Sequence, residues 1–547
     1  MADCLSSRRS FLHLSSGILG SGFGISQLQT DGDSRITWVS DTPSTSRASP
    51  TVVDGIVYTG TSNGGLFALD AQTGEIIWHS RSISACGQWA APAVANDLCY
   101  LKTGGTVYAV DKETGAIEWE SEATGSGETS PTVRKDTCYL GGADGVYALD
   151  AFTGELLWQN DEMEGPVRSK VTVEGDWCFC NAIRTVVCLD RHGGELLWQT
   201  HDGGDGGIEA AVTARIPSSP IVNGDALLVG EGGEGRAKIH SLNVETGETQ
   251  FSRELASRAD GQVATPTVRD DFVVATVLTF SGAGTCPLPD NYRLGRPYVC
   301  LHGFDISDGF WNQQWTAFYD QRLASAPTIV GNSIYVGGYG GCLTVRDLPT
   351  GDIRWERNAP GPAAAGSIPI GYDGTLYIGT SRGVIAFDID ESGSSTGERV
   401  KQGVEGHHDH WHERSTIPLD RLEISVANGS LEPDSDSPIT VEAIYGNRTR
   451  NVTELATLSS SDDTVLELES NTSVVARQPG SAELSATYGD IVANESVTVS
   501  DPEQDSQNEE SDSMPLGVAT TAAGVGTGAY LLKTVAESGG IDSEKKP

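Results

Sequence analysis

The chain has 547 residues and a formal net charge of −39 at pH 7, with nine lysines among its 36 basic residues. So large an excess of acidic groups repels polyanions, which excludes nucleic acids and anionic membrane surfaces as partners.

Residues 1–30 predict an export signal rather than part of a folded domain. Two arginines, Arg8 and Arg9, precede an uncharged stretch from Phe11 to Thr30. This pattern resembles a twin-arginine signal, which is an address for export and is excluded from the fold. The resemblance implies an exported protein that works outside the cell or at its surface. No Ala-x-Ala cleavage site is visible.

Residues 35–405 repeat one pattern eight times. Clear copies of an Ala-x-Asp-x-x-Thr-Gly-x-x-x-Trp segment occupy 68–78, 109–119, 148–158 and 345–355, and looser copies lie at 188–198, 241–251, 303–315 and from 386. A second landmark, most often Ser/Ala-Pro-Thr-Val, begins at 49, 91, 130, 169, 219, 265, 326 and 368. A period of roughly 40 residues made of short alternating strands is typical of propeller blades. The sequence therefore predicts an all-β fold, an eight-bladed β-propeller with four-stranded antiparallel blades.

The recurring residues of this pattern predict structural roles. In the first copy, the carboxylate of Asp70 can close a hairpin loop, and Gly74 can take the positive φ that the loop requires. Trp78 then lies on the outermost strand, where its large ring can fill the gap between blades. The same roles are predicted for Asp111, Gly115, Trp119, Asp150, Gly154, Trp158, Trp198 and Trp355.

The two ends of the repeat region predict how the ring closes. The eighth copy lacks its tryptophan, whereas a strand-like run around Trp38 has no blade of its own. We expect Trp38 to lie on the outer strand of the last blade, which removes the free edges of an open array.

These motifs resemble the PQQ-type repeat over about residues 35–405. The resemblance implies one of two kinds of protein. Quinoprotein dehydrogenases of this type hold pyrroloquinoline quinone on the propeller axis, together with calcium. BamB-like scaffold proteins have the same blades and no cofactor.

Loops that lead into the innermost strands are the place for a ligand on the axis. A flat anionic quinone would need an aromatic face and guanidinium groups. The candidate ligand-binding residues in these loops are Arg47, Trp89, Glu128, Arg168 and Arg322. No adjacent cysteine pair of the kind found in alcohol-oxidising quinoproteins is present, and no catalytic residue is predicted.

Ten cysteines allow a disulfide framework. Cys99, Cys138 and Cys178 share one strand position in three consecutive repeats, and Cys300 and Cys342 share another. Cysteine as a small buried apolar residue explains this recurrence better than pairing does. One or two disulfides are still compatible with the sequence.

Residues 406–420 form a linker that contains four histidines. Alternate residues of an extended strand lie roughly 7 Å apart at Cα, so these side chains do not converge on one ion without a bend. We expect no metal site, although His408 and His410 would be its ligands.

Residues 421–500 alternate as in a β-sandwich and resemble a bacterial Ig-like domain of the Big2 type. Five Asn-x-Ser/Thr sequons lie in this segment and none lies in the propeller, which predicts N-glycosylation of a surface stalk. Their asparagines are Asn428, Asn447, Asn451, Asn471 and Asn494.

The C-terminal segments predict a tether. Residues 501–514 are an acidic spacer, 515–532 carry no charge, and 533–547 form a polar tail. The uncharged run is just long enough to span a bilayer, but glycine, alanine and threonine dominate it. A membrane anchor and a flexible tail both fit.

Taken together, the sequence favours an exported scaffold or binding module with no cofactor, whose partners are other surface proteins or glycans. Two alternatives stay open: a dehydrogenase that uses PQQ and Ca²⁺ to oxidise an alcohol or sugar, and a glycosylated adhesin. The sparse lysine also resembles proteins of salt-loving microbes, which concerns the solvent. Nothing in the sequence indicates an oligomeric state.

Overall fold

The computed structural model describes residues 35–42, 49–61, 65–83, 90–122, 124–125, 129–163, 165–182, 185–200, 218–233, 236–257, 260–281, 298–319, 326–338, 342–358, 367–380, 383–389, 391, 417–427 and 430–500. These residues contain 42 β-strands and no helix. The chain divides into two compact units, Met1–Leu422 with Glu442–Asn451, and Glu423–Val441 with Val452–Pro547.

The first unit is built from four-stranded antiparallel meanders, called blades here and numbered along the chain. Strand β1 (Ile36–Val39) comes first in the chain. Blade one contains β2 (Thr51–Val53), β3 (Ile56–Gly60), β4 (Leu66–Asp70) and β5 (Ile76–Ser80). Blade two contains β6 (Ala93–Ala95), β7 (Leu98–Thr103), β8 (Thr106–Asp111) and β9 (Ile117–Ser121). Blade three contains β10 (Thr132–Arg134), β11 (Thr137–Gly142), β12 (Gly145–Asp150) and β13 (Leu156–Asn160). Blade four contains β14 (Thr172–Glu174), β15 (Trp177–Asn181), β16 (Val186–Asp190) and β17 (Leu196–Gln199).

Blades five and six have longer strands and share one sheet. Blade five contains β18 (Ile221–Asn223), β19 (Ala226–Gly233), β20 (Arg236–Asn243) and β21 (Thr249–Ser257). Blade six contains β23 (Thr267–Arg269), β24 (Phe272–Ser281), β25 (Tyr298–Asp305) and β26 (Asn312–Tyr319). Between them, β22 (Asp260–Val263) pairs with both β19 and β24 and joins the two blades.

Blades seven and eight complete the array. Blade seven contains β27 (Thr328–Val330), β28 (Ser333–Gly337), β29 (Cys342–Asp347) and β30 (Ile353–Asn358). Blade eight contains β31 (Ile370–Tyr372), β32 (Thr375–Thr380) and β33 (Gly383–Asp388), with β1 as its outermost strand. Strand β1 pairs antiparallel with β33, and Trp38 lies opposite Ala386, so the last blade combines the two ends of the repeat region.

The innermost strands face one another around a ring. Strands β2, β6, β10, β14 and β18 are neighbours in that order, β23, β27 and β31 continue the order, and β31 adjoins β2. This arrangement is that of a β-propeller.

Hydrogen bonds of the Pro-Thr landmark join successive blades near the axis. The hydroxyl of Thr51 donates to the carbonyl of Pro92 in the next blade, at 2.6 Å. Equivalent bonds run from Thr172 to Pro220, from Thr267 to Pro327 and from Thr328 to Pro369. Four copies of the landmark therefore bind the next blade as well as starting a strand.

The tryptophans join the blades at the periphery. The ring of Trp78 lies on Gly115 of the next blade, and its Nε1 donates to Lys112 O at 2.9 Å. The same indole bond links Trp38 to Ala71, Trp119 to Ala151, Trp158 to Arg191, Trp198 to Val244 and Trp315 to Leu348. Trp355 is half-buried beneath the guanidinium of Arg35.

The Asp and Gly of the motif form the loop that receives each tryptophan. Oδ1 of Asp70 accepts from the backbone N–H groups of Gln72 and Thr73, and Gly74 has φ of +73°. Asp111 and Asp150 close their loops in the same way, and Gly115 and Gly154 have the same positive φ. These observations give the motif the structural role that the sequence predicts.

Five cysteines, Cys99, Cys138, Cys178, Cys180 and Cys188, are buried free thiols. Cys300 is also buried, but it is disulfide-bonded, so its interpretation as a simple apolar residue was wrong. Burial is compatible with either state, which is why strand position alone did not separate them.

Residues 442–451 belong to the first unit and place two arginines against its acidic loops. Arg450 Nη2 lies 3.0 Å from Asp111 Oδ2 and 2.8 Å from Glu118 Oε1, and Arg448 Nη2 lies 2.7 Å from Asp150 Oδ2. The loop-closing carboxylates thus use their second oxygen to bind arginine.

The C-terminal strands are β34 (Arg421–Val426), β35 (Ser430–Leu431), β36 (Asp436–Tyr445), β37 (Arg448–Asn451), β38 (Thr457–Ser460), β39 (Leu466–Ser470), β40 (Ser473–Ala476), β41 (Gly480–Tyr488) and β42 (Ile491–Val499). They form two sheets, in the orders β34-β36-β40-β39 and β35-β42-β41-β38, with β37 beside β36. Alternate residues of β34 and β41 are buried, as expected of sheets with one apolar face. The Ig-like classification stays a prediction.

Candidate functional site

The loops that lead into the innermost strands are called axial loops here, and they hold the predicted ligand-binding residues. Arg168 lies in the axial loop of blade four and is exposed. Its neighbour Val167 is buried, donates its N–H to Gly142 O at 2.9 Å and packs against Gly141. A fixed backbone therefore carries a solvent-exposed guanidinium. Arg47, Trp89, Glu128 and Arg322 lie outside the described residues.

Lys102 is a buried cation that sequence reasoning missed. Its Nζ donates to Gly141 O at 2.8 Å and to Thr124 O at 3.2 Å, so it joins blade two to the next axial loop. Burial lowers the pKa of Lys102 to about 8. Lys102 is the fifth residue of the second strand of its blade. Five other blades have glycine as the fifth residue of that strand, namely Gly60, Gly141, Gly230, Gly337 and Gly379. A lysine at a position where most other repeats have glycine was the signal that could have identified Lys102.

Blade five contains a buried carboxylate–histidine pair near its axial loop. Glu231 Oε2 lies 2.6 Å from His240 Nε2, with the two residues 1% and 4% exposed. Lys238 Nζ lies 3.8 Å from the same oxygen. The carboxylate oxygen accepts the hydrogen bond, so Nε2 is the donor. Within the described part of the chain, Nδ1 is buried and has no hydrogen-bond partner.

A second buried histidine, His302, lies in blade six. Burial lowers its pKa to about 4, and the nearby Arg253 adds to the shift. Its Nδ1 lies 3.4 Å from Thr316 Oγ1. At neutral pH this side chain is an uncharged part of the core.

Among the described residues, no three His, Cys, Asp or Glu side chains converge as metal ligands. The ammonium of Lys102 donates to two backbone carbonyls, and the exposed Arg168 is the predicted quinone-binding cation that the structure describes. The linker histidines His408 and His410 lie outside the described residues.

The outer strands carry exposed aliphatic side chains at one recurring place, just before the tryptophan. Leu157 is 49% exposed, and Ile77 and Leu197 are each 48% exposed. Ile76, Ile117, Leu156 and Ile353 share this position or the adjoining one. Strands β5, β9, β13, β17 and β30 are the last strands of their sheets, so the apolar side chains lie beside backbone edges that no other described strand pairs with.

Four of the five predicted glycosylation sites lie in the described residues. Asn447, Asn451, Asn471 and Asn494 are exposed. Asn428 and the segment 515–532 lie outside the described residues. Among the residues that the structure does describe, no helix is long and apolar enough to cross a membrane.

Comparisons with known proteins agree with this architecture. The profile of the family described as outer membrane protein assembly factor BamB matches residues 25–128, 103–286 and 235–429, together most of the chain. No curated protein sequence matches significantly. The computationally designed protein Ika8 is 18% identical, with a TM-score of 0.50 over 65% of this chain and 100% of that one.

Two natural proteins of known structure also match. BamB from Moraxella catarrhalis is 18% identical, with a TM-score of 0.35 over 62% of this chain and 84% of that one. Quinohemoprotein alcohol dehydrogenase from Comamonas testosteroni is 16% identical, with a TM-score of 0.49 over 65% of this chain and 76% of that one. At such identities the likeness to Ika8 concerns the fold alone, and these two TM-scores support no conclusion about activity.

Proposed function

Because this chain belongs to the PQQ-type repeat family described as outer membrane protein assembly factor BamB, we propose that it is a scaffold that binds other surface proteins and has no chemistry of its own. The recurring exposed aliphatic residues on the outer strands are the observation that carries this proposal. Fold does not fix function, so the argument depends on that surface.

The ring is suited to a scaffold because side-chain hydrogen bonds hold neighbouring blades together, and three of the junctions have such a bond both near the axis and at the periphery. Hydrogen bonds of the Pro-Thr landmark hold the inner strands, and the tryptophans hold the periphery on the next blade's Asp-Gly loop. A partner can therefore bind across blades without an entropic cost for ordering them.

The outer surface offers both a backbone edge and apolar side chains to a strand added by a partner. Unpaired backbone edges can accept main-chain hydrogen bonds, and exposed Ile77, Leu157 and Leu197 can bind alternate side chains of a partner. We therefore propose a partner protein that contributes an extended, apolar strand. Export by the twin-arginine route, N-glycosylation and C-terminal anchoring belong to the same proposal, since they would place the scaffold at the cell surface.

Site-specific photo-crosslinking tests the binding surface. A crosslinking amino acid is placed at Leu157, with Gln159 on the same strand as the matched exposed control. We expect the Leu157 position to capture one defined partner protein in intact cells, and Ile77→Lys with Leu197→Lys to reduce that capture. Equal capture at Leu157 and Gln159 would contradict a specific surface.

Titration with pyrroloquinoline quinone and Ca²⁺ tests the alternative chemistry. The scaffold proposal expects no saturable binding by the folded, full-length protein. Micromolar binding that weakens on Arg168→Ala or Trp89→Ala, with dye-linked oxidation of an alcohol or sugar, would replace the scaffold proposal by a dehydrogenase.

A further inference from the structure

A cavity of about 190 Å³ lies between blades three and four, on the side of the loops that receive the tryptophans. Its walls come from the turn between β10 and β11, from Leu157 and Trp158 on β13, and from the loop between β16 and β17. The volume corresponds to about six water molecules at ~30 Å³ each. It therefore has room for a small molecule.

The charges around this cavity are opposite to those of the protein as a whole. Arg134, Lys135, Arg191 and His192 line it, together with one carboxylate, Asp136. Asp136 also lies 3.6 Å from Arg448. In a chain with a net charge of −39, three basic side chains around one cavity, Arg134, Lys135 and Arg191, favour an anion there.

At the equivalent place between blades one and two, a basic side chain is paired with carboxylates of the chain. There, Lys112 takes the position of Arg191. The carbonyl of Lys112 accepts from Trp78 Nε1 and Tyr58 OH. The carbonyl of Arg191 accepts from the equivalent groups, Trp158 Nε1 and Tyr139 OH. Lys112 Nζ lies 3.3 Å from Asp54 Oδ2 and 2.9 Å from Asp97 Oδ1. The chain itself supplies the anion.

Between blades three and four, the carboxylate of the turn is replaced by an ammonium. Asp54 follows β2 directly, with φ of +51°, and Lys135 follows β10 directly, with φ of +55°. Asp176 takes the position of Asp97. Its Oδ1 lies 3.3 Å from His192 Nε2, so this carboxylate contacts the histidine. Arg191 and Lys135 make no ion pair with a carboxylate in the described ranges, and both line the cavity. Arg191 Nη2 lies 3.4 Å from His192 Nε2.

We propose that this cavity binds a small organic carboxylate, which takes the place that the Asp54 carboxylate has between blades one and two. The guanidinium of Arg191 matches a carboxylate with two parallel hydrogen bonds, and Lys135 adds a point charge. Leu157, Trp158 and Tyr139 provide the apolar wall for the organic part of the ligand. The site adjoins the scaffold surface through Leu157 and lies apart from the axial loops.

Fluorine NMR of 4-fluorobenzoate with the full-length protein tests the proposal at constant ionic strength. We expect saturable, millimolar binding. Arg191→Gln should weaken it at least tenfold, and Lys135→Asp should abolish it, because the new carboxylate restores the arrangement of Asp54 and Lys112. Arg269→Gln is a control for loss of a basic residue elsewhere and should leave binding unchanged, since Arg269 ends β23 in blade six and lies beside Asp270.

Each other outcome contradicts the proposal. Binding that is absent, or that persists in Lys135→Asp and Arg191→Gln, would show that the cavity is not the site. Inorganic phosphate is the competing arm: if it displaces 4-fluorobenzoate at equal or lower concentration, the site is a general oxyanion site and the carboxylate assignment is wrong. Because Lys135 is exposed, its variant should fold, and a melting curve of each variant checks this.

Discussion

Replacing Gly115 by alanine tests whether the tryptophan of one blade rests on the loop of the next. A Cβ at Gly115 would lie 2.5 Å from Trp78 Cε3, and Gly115 has φ of +72°. The left-handed backbone costs an alanine about 1 kcal/mol. Overpacking against a buried ring adds about 2 kcal/mol, which gives about 3 kcal/mol in all.

Gly55 is the matched control, because it has φ of +75° and nothing within 4 Å of its Cβ position. Gly55→Ala should therefore show the backbone cost of about 1 kcal/mol alone. For a domain of this size, 1 kcal/mol lowers the melting temperature by about 1.3 °C. We expect a loss of about 4 °C for Gly115→Ala and about 1 °C for Gly55→Ala by scanning calorimetry.

A double-mutant cycle separates the contact from other effects. In a Trp78→Ala background the ring is gone, so Gly115→Ala should cost about as much as Gly55→Ala, a coupling of about 2 kcal/mol. Equal melting temperatures for the two single glycine variants, or no coupling with Trp78, would refute the packing that the structure shows.

Three further predictions concern ring closure and buried titratable groups. Trp38→Ala should lower the free energy of unfolding by about 3–5 kcal/mol. Removal of all residues before Ser49 should unfold the ring, and an unchanged circular dichroism melt would contradict closure by β1. Burial lowers the pKa of Lys102 to about 8 from 10.5, so the unfolded chain holds more protons between pH 8 and 10.5 and this residue makes stability rise with pH there. In Lys102→Met, stability should lack this rise between pH 8 and 10.5. Profiles of melting temperature against pH that run parallel for the variant and the unsubstituted protein would contradict the burial of Lys102. Burial lowers the pKa of His302 to about 4 from 6.5, so stability should fall as pH drops from 6.5 to 4; His302→Gln should flatten this acid limb, and an unchanged limb would count against the buried neutral histidine.

The repeat made much of the propeller predictable. Asp70 and Gly74 act through local turn chemistry, which depends on residues that are adjacent in sequence. Trp78 was predictable in kind, since a recurring aromatic on an outer strand needs a surface to cover. The pairing of β1 with β33 followed from an orphan strand at one end and a missing strand at the other.

The candidate site was much less predictable. Of the five axial-loop residues that the sequence indicates, the structure describes Arg168, which is exposed. Lys102 and the Glu231–His240 pair were missed because their importance depends on burial against a neighbouring blade. The sequence left one or two disulfides open but did not assign one to Cys300, because a half-cystine and a buried thiol occupy the same kind of strand position.

The sequence by itself determined the blade: its four strands, the loop that Asp and Gly close, and the tryptophan that each blade offers to the next. Only the tertiary structure decided which charges meet. Lys135 and Arg191 belong to different repeats, and each taken alone is an ordinary basic residue near a turn. Coulomb interactions depend on distance through space, and it is the ring that brings the turn of one blade against the loop of the next and leaves two cations facing one cavity.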